Sequence, residues 1–406
     1  MTSGDGATLQ HHRTIFDGWR SMSLSLFMSL AGYAVLVGVP VISNAWVNLL
    51  GFSEVEVGRV AGADLGGLSL GALVAALLVA KINRRLLTLL AIAIAVGANA
   101  MCMFIVEYEP VLWLRLTAGF GSGVYTAIAV CTLGATSKPA RAFNIMLFAF
   151  AFSQMAELYF LPKLSMNAIY TVFIVAYLIT LPFLRWLPPH PVDNALDIEV
   201  DVEEQGGCHH VEHQHVPTYV PWLVLAAIVM TYINIGGYWA YIKLATIGTA
   251  ADPDWVDGVL VWVSLFSIVG CLFATLISNR FGLARPLMLA LLSMAMIVGM
   301  LLGGINNVSI LISAFSFNFL WIFVDVYQMA TIANVDHSGK YAALLPGAQG
   351  LGNILGPNLA ASILAAGYGY SGVFIMCTCA ALTGMLIYAS MYIRLRQAIP
   401  ALANAS

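Results

Sequence analysis

Long runs of apolar residues recur from one end of this chain to the other, and each is about as long as a bilayer is thick. Crossing the hydrocarbon core takes roughly 20 helical residues, because each residue advances a helix by about 1.5 Å. A backbone surrounded by lipid must bond to itself, so each run is predicted to be a helix. The predicted spans are residues 21–45, 54–79, 86–106, 111–135, 143–162, 168–187, 219–242, 256–278, 287–304, 308–334, 342–366 and 370–393.

Charged residues are too scarce for a soluble protein. They make up 9% of the 406 residues, whereas 60% are hydrophobic. Soluble domains carry roughly 25% charged residues. Lipid must therefore cover most of the surface, and the predicted fold class is an all-α polytopic membrane protein. The net charge of -3 gives no basic surface for binding nucleic acid.

The positions of lysine and arginine predict the orientation, because cytoplasmic loops carry an excess of both. With the N-terminus inside, the inner segments contain 13 of the 17 basic residues: Arg13, Arg20, Lys81, Arg84, Arg85, Lys138, Arg141, Arg185, Arg280, Arg285, Lys340, Arg394 and Arg396. Both termini are therefore predicted to be cytoplasmic, in a multi-pass protein of the inner or plasma membrane.

One long polar segment divides the spans into two sets of six. Residues 188–218 are acidic and histidine-rich, contain no lysine or arginine, and read as a flexible cytoplasmic linker. The predicted organisation is a cytoplasmic segment over residues 1–20, a six-helix bundle over 21–187, the linker, a second bundle over 219–393, and a cytoplasmic tail over 394–406.

The two sets of spans show an internal repeat. A shift of 199 residues aligns like residues in the first two helices and in the inner loops: Tyr33 with Tyr232, Gly38 with Gly237, Gly71 with Gly270, Lys81 with Arg280, and Arg141 with Lys340. Parallel repeats of six helices form transporters whose substrate site lies between the halves, near the middle of the membrane.

Local motifs resemble those of the major facilitator superfamily. Arg115, Gly119 and Gly121 in helix four resemble its R-x-x-x-G-x-G motif. The loop after helix two matches the family's basic loop motif only at Lys81, Arg84 and Arg85; in the second half Arg280 and Gly282 are closer to D-R-x-G. The resemblance implies two six-helix bundles related by pseudo-two-fold symmetry, in a branch similar to exporters and to drug or metabolite permeases.

A further motif lies in an unexpected helix. Exporters of this family carry G-x-x-x-G-P in helix five, whereas here Gly352, Gly356 and Pro357 place it in helix eleven. Glycines four residues apart let two helices meet backbone to backbone, and a proline bends the helix. The motif is therefore interpreted either as tight packing alone or as a bend that serves transport.

Ionisable residues inside the membrane are costly, so they are functional candidates by default. Asp64, Arg115, Glu157 and Asp325 are assigned to proton coupling. Arg115 and Glu157 lie at similar depth in neighbouring helices and are expected to be close enough to pair. Either Asp64 or Glu157 takes up a proton and frees Arg115 to rearrange, or Arg115 and Glu157 form a static pair.

Polar and aromatic residues in the spans supply candidate substrate contacts, since a polar group in an apolar helix needs a partner or water. They are Tyr33, Tyr232, Asn234, Tyr238, Trp239, Asn318, Trp321, Gln328, Gln349 and Asn353. This set suits a small, partly apolar organic solute. A second group is assigned to gating at the inner loops: Lys81, Arg84, Arg85 and Arg280.

A histidine cluster in the linker supports a competing interpretation. His209, His210, His213 and His215 could bind zinc, nickel or copper, although a flexible loop does not preorganise them. The alternatives are a metal-linked transporter and a solvated linker with incidental histidines. No Walker phosphate loop, H-E-x-x-H or G-x-S-x-G motif occurs, so no enzyme activity and no cofactor are predicted.

Together these features predict a secondary active transporter that moves a small organic solute by alternating access, coupled to protons. Its predicted partners are a small-molecule substrate, a proton or other coupling ion, and the lipid bilayer, and it is predicted to be a monomer. The remaining alternative is a membrane receptor that has this fold but does not transport.

Overall fold

The structure is a computed structural model that describes residues 15–79, 81–136, 139–189, 219–277, 282–335, 341 and 344–398. These ranges contain helices and connecting turns, and no strand. The helices are α1 Trp19–Leu50, α2 Glu54–Leu78, α3 Arg84–Cys102, α4 Tyr108–Gly134, α5 Pro139–Phe160, α6 Met166–Ile179, α7 Val220–Tyr241, α8 Pro253–Ile277, α9 Ala284–Met300, α10 Asn307–Val335, α11 Leu345–Ala365 and α12 Gly369–Ala398.

Local sequence explains the tight turn between α1 and α2. Gly51 ends α1 in the left-handed region, at φ 74°, where glycine has no side-chain penalty. Ser53 then caps α2 together with Glu56, each accepting a hydrogen bond from the other's backbone amide. The turn defines one end of the bundle, here called the α1–α2 end.

The sequence repeat is also a repeat of structure. A shift of 199 residues carries α2 onto α8 at both of its ends. It also carries a contact: a Cβ on Gly71 would meet the backbone oxygen of Phe120, and one on Gly270 would meet that of Phe319. The α2–α4 and α8–α10 pairs therefore pack in the same way, with glycine at the crossing point.

The predicted α11 span differs from the other eleven. Those eleven are long and apolar enough to cross a membrane, by length and composition, among the described residues; α11 is not. It packs between α2 and α7, where Gly352 and Gly356 lie against the α7 backbone. Protein rather than lipid covers much of α11, so its amide side chains need not face hydrocarbon.

Several predicted boundaries move by a few residues. The first span begins at Trp19 and ends at Leu50, rather than covering 21–45. The sixth ends at Ile179, and a 3-10 turn, Leu181–Trp186, follows it. The last helix continues to Ala398, beyond the predicted limit of 393. The four candidate metal ligands, Arg280 and most of the predicted linker lie outside the described residues.

Candidate functional site

Arg115 forms a buried ion pair with Asp64. The Nε of Arg115 donates to the Oδ2 of Asp64 at 2.8 Å, and a second guanidinium nitrogen bonds the same oxygen. The remaining nitrogen donates to the Oδ1 of Asn99 at 2.7 Å. All three side chains are at most 2% exposed. We call Asp64, Asn99 and Arg115 the charged triad.

Glycine packing brings the charged triad together. Gly67 of α2 lies against the backbone of α4, and Gly119 of α4 lies against the backbone of Asp64. Any side chain at either position would separate the helices, and with them the carboxylate and the guanidinium. In the helix-four motif, Arg115 therefore lies one helical turn from Gly119. The contact of Gly119 with the backbone of Asp64 positions the guanidinium beside the carboxylate.

The predicted pair between Arg115 and Glu157 is wrong. Arg115 is directed at α2 and α3, and Glu157 instead accepts a hydrogen bond from Ser153 of its own helix, at 3.0 Å. Depth along a helix axis was the basis of the prediction, and depth says nothing about the direction around the axis. The static Arg115–Glu157 pair is ruled out with it.

Glu157 lies between α5 and α1. A Cβ built on Gly38 would come within 3.2 Å of its Oε2 atom. That oxygen is buried and has no hydrogen-bond partner among the described residues. Glu157 is thus a carboxyl group in the first half that no described cation neutralises.

The second half has its own acid. Asp325 of α10 is half-buried and accepts a hydrogen bond from the hydroxyl of Tyr232 at 2.9 Å. Tyr33, the repeat equivalent of Tyr232, is half-buried on α1 and packs edge to face on Phe150 of α5, with ring centroids 5.7 Å apart. The two tyrosines thus occupy equivalent helices of the two halves, and Tyr232 alone has a carboxylate partner among the described contacts.

Buried polar atoms without partners mark the centre of α7 and its neighbours. Both side-chain polar atoms of Asn234 lack a hydrogen bond within the described part of the chain, as do the Oδ1 of Asn353 and the Nε1 of Trp239. Gln328 is half satisfied, since it donates to Thr231 at 2.8 Å while its Oε1 has no described partner. Each such atom is costly unless water or a ligand satisfies it.

The other predicted substrate residues have different surroundings. Tyr238 stacks on Phe317, with centroids 3.9 Å apart, and shares a hydrogen bond with Ser313, so it joins α7 to α10. Asn318 and Trp321 line a cavity of about 280 Å³ between α5, α8 and α10. Gln349 is half-buried on α11, one turn before Asn353.

Comparison with known proteins assigns this architecture. The sequence model of the Major Facilitator Superfamily matches residues 22–357. The chain belongs to the major facilitator superfamily. This membership indicates a multi-pass membrane transporter rather than an enzyme, and it confirms the resemblance predicted from the motifs. A search of curated protein sequences finds no significant match.

Solved structures of transporters share the fold. The POT family transporter PepTSo aligns with a TM-score of 0.72 at 11% identity, covering 93% of this chain and 98% of that one. A D-xylose-proton symporter aligns at 0.70 and 15% identity, covering 91% and 97%. The nucleoside transporter NupG aligns at 0.68 and 10% identity, covering 91% and 98%. At these identities the likeness shows the major facilitator fold and nothing finer.

Two of the four basic residues predicted to act in inner-loop gating connect parts of the first half of this superfamily member. Arg84 is buried, donates to Thr132 at 3.3 Å, and lies over the ring of Phe16. Arg85 donates to the backbone oxygens of Leu187 and Arg185. Lys81 is exposed. Whether they gate transport stays a prediction.

Sequence reasoning missed contacts between the halves at the α1–α2 end. Arg59 of α2 donates to Asn358 at 3.1 Å and to Ser362 at 2.9 Å, both on α11. The hydroxyl of Tyr241 on α7 donates to the backbone oxygen of Glu54. These bonds close the two halves of the superfamily fold against each other at this end. No local pattern signals them, because the partners are 187 to 303 residues apart in the sequence.

Asn99 was missed as well, although a signal for it exists. It is the one amide side chain in α3, a helix of 19 residues, and an amide among apolar residues needs a partner. Its Nδ2 bonds the backbone of its own helix, at Ala95, which leaves the oxygen directed at Arg115. Asn99 thereby satisfies the guanidinium nitrogen that Asp64 does not reach.

Proposed function

We propose that this chain is a proton-coupled secondary active transporter for a small organic solute, working by alternating access of its two halves. The observation that carries the proposal is the different pairing of the three membrane-embedded acids. Asp64 is neutralised by Arg115, Asp325 accepts a bond from Tyr232, and Glu157 has a buried oxygen without a described partner. A proton carrier has to bind and release its proton, which an unpaired carboxyl group can do more readily than an ion-paired one.

Glu157 and Asp325 are therefore the proposed proton carriers, and the charged triad is the element that responds. Protonation of Asp64 would free Arg115 to rearrange, but that step has to overcome a strong buried interaction. Glu157 lies against α1 and Asp325 bonds α7, so both acids contact helices that carry a candidate substrate tyrosine. A change of charge at either acid would therefore act directly on a helix that carries a candidate substrate residue.

The substrate is proposed to bind beside α7, where Asn234 and Trp239 of that helix and Asn353 of α11 present unpartnered polar atoms. Satisfying one such atom contributes on the order of 1 kcal/mol or more to binding. The arrangement of lysine and arginine along the chain supports a cytoplasmic location for both termini. In that orientation the bonds of Arg59 close the outer side of the transporter.

Reconstituted flux tests this proposal. The purified chain in liposomes is screened for uptake with and without an imposed pH gradient, starting with nucleosides, xylose and peptides. We expect accumulation that a protonophore abolishes, and loss of pH-driven accumulation in Glu157→Gln with binding retained. Accumulation that ignores the protonophore would overturn the coupling, and binding without any flux would indicate a receptor instead.

A further inference from the structure

Two helix contacts between the halves are equivalent under the internal repeat, yet one is tight and the other is loose. Helix α2 meets α11, and α8 meets α5. Toward α11, α2 presents Gly58, Gly62 and Gly66, and a Cβ on each would come against α11 side chains. This glycine face lets the helices touch, and Arg59 adds two hydrogen bonds across it.

Bulky residues replace those glycines in the second half. A shift of 199 residues puts Asp257, Val261 and Leu265 of α8 where α2 has Gly58, Gly62 and Gly66. Helix α8 therefore cannot approach α5 as α2 approaches α11. Farther along the same face of α8, Ile268 and Leu272 line the cavity of about 280 Å³ between α5, α8 and α10.

The mouth of this cavity lies on the membrane-facing surface. Phe148 of α5 is 55% exposed and Leu272 of α8 is 60% exposed. Each continues a row of exposed apolar residues spaced three or four apart on its helix, which is the pattern of a lipid-facing stripe. These rows are Ile145, Phe148 and Phe152 on α5, and Phe266, Val269, Leu272 and Leu276 on α8. A mouth flanked by such stripes opens toward lipid rather than water.

The inner part of the cavity is polar but uncharged. Gln154 is 3% exposed and Asn318 is 1% exposed. Asn318 is weakly engaged: Ser267 donates to it at 3.4 Å, and its own amide reaches Ala314 at 3.5 Å. The twelve lining residues include no Asp, Glu, Lys or Arg. Apolar walls with amides at the inner end match a neutral amphipathic molecule, apolar along its length and hydrogen-bonding at one end.

The cavity also borders the central residues. Phe150 on its wall contacts Tyr33 of α1, and Trp321 on its wall contacts Trp239 of α7 at a centroid distance of 6.0 Å. A molecule in the cavity is thus one side-chain layer from the unpartnered Nε1 atom of Trp239.

We propose that the gap between α5 and α8 is a lateral portal through which a neutral amphipathic substrate passes from the bilayer to the site beside α7. The inference rests on the proposed function, because a portal serves only a chain that transports. It narrows the substrate class to lipid-soluble molecules with one neutral hydrogen-bonding group.

Photolabelling from the membrane tests the portal. The full chain is reconstituted with a monoacylglycerol that carries a diazirine on its acyl chain, and adducts are mapped by mass spectrometry after illumination. We expect adducts on cavity residues such as Ala151, Ser267 and Asn318, besides those on the lipid-facing stripes. Adducts confined to the stripes would overturn the proposal.

Two variants localise the binding. Asn318→Leu removes an inner amide. It is expected to lower the yield of cavity adducts about fivefold, which is the change in binding expected from the loss of one hydrogen bond. Asn167→Leu, which changes an exposed amide at the start of α6, serves as the matched control and should leave them unchanged. Equal cavity labelling in both variants would contradict the assigned role of the amide.

Closing the mouth avoids any question of folding. In a background with Cys208, Cys271 and Cys379 changed to Ala, Leu272→Cys is labelled with a bulky maleimide, and cavity adducts are compared in the same preparation before and after this labelling. Cavity adducts should fall after modification, while stripe adducts on α8 persist. Flux is measured in parallel to separate the two proposals. Flux of a water-soluble solute without cavity adducts would overturn the portal alone. Cavity adducts without flux would contradict the transport function.

Discussion

The two halves of the bundle share their helix packing but not their polar residues. The contact of Gly71 with Phe120 recurs as that of Gly270 with Phe319. The same shift of 199 residues puts Val263, Val298 and Ala314 where the first half has Asp64, Asn99 and Arg115. The three apolar residues are fully buried, like the triad they replace.

This difference shows that the helix packing does not require the charged residues of the triad. Burying an ion pair costs desolvation energy that often exceeds its attraction, and apolar replacements of similar size are frequently neutral or stabilising. The second half buries Val263, Val298 and Ala314 at the equivalent positions, so the same packing forms there without an ion pair. The charged triad is therefore best explained by function, and the second half supplies the sequence for testing that explanation.

The largest expected effect comes from breaking the pair on one side. Arg115→Ala leaves the Asp64 carboxylate buried without its partner, which costs about 3–5 kcal/mol. We expect strongly reduced thermal stability in detergent and little protein in the membrane. The equivalent positions in the second half, Val263 and Ala314, carry no charge that could be left unpaired. A melting temperature equal to that of the parent would show that Asp64 is already protonated.

A second variant replaces the charged triad with the apolar residues found at the equivalent positions of the second half. The triple variant Asp64→Val, Asn99→Val and Arg115→Ala gives the first half the residues of the second. We expect thermal stability above that of Arg115→Ala alone, because no charge is left unpaired, together with loss of proton-coupled flux. The matched control is Thr383→Val on the exposed side of α12. Retained coupling in the triple variant would reduce the triad to a structural feature.

The sequence predicts the helices and their repeat, but not which side chains of neighbouring helices meet. The number of helices, the two halves and the repeat follow from hydropathy and spacing, because lipid selects apolar residues along every span. The Arg115–Glu157 pair could not be judged in that way, because it depends on rotation about the helix axes. Glycines set that rotation: Gly67 and Gly71 lie four residues apart in the sequence, which predicts a packing stripe, but only the structure shows that the stripe packs against α4.

The bonds of Arg59 mark a smaller asymmetry at the α1–α2 end. The equivalent position in α8 is Gly258, which has no close neighbour. Arg59→Gly therefore copies the second half and removes two hydrogen bonds, each contributing about 1 kcal/mol to the closed arrangement. We expect a larger share of molecules open at this end, measured as faster labelling of a cysteine placed at Ala361, which is fully buried where α11 faces Gly58. Unchanged labelling would mean that glycine packing alone holds α2 against α11.

The smallest expected effect separates the two equivalent tyrosines. Tyr232→Phe removes the hydroxyl that bonds Asp325, whereas Tyr33→Phe removes one with no carboxylate partner among the described contacts. Losing one hydrogen bond is worth about 1 kcal/mol, so Tyr232→Phe should slightly lower the melting temperature in detergent and reduce pH-driven flux. Tyr33→Phe should change both quantities less. Equal losses in both variants would show that the contact with Asp325 does not distinguish the two tyrosines.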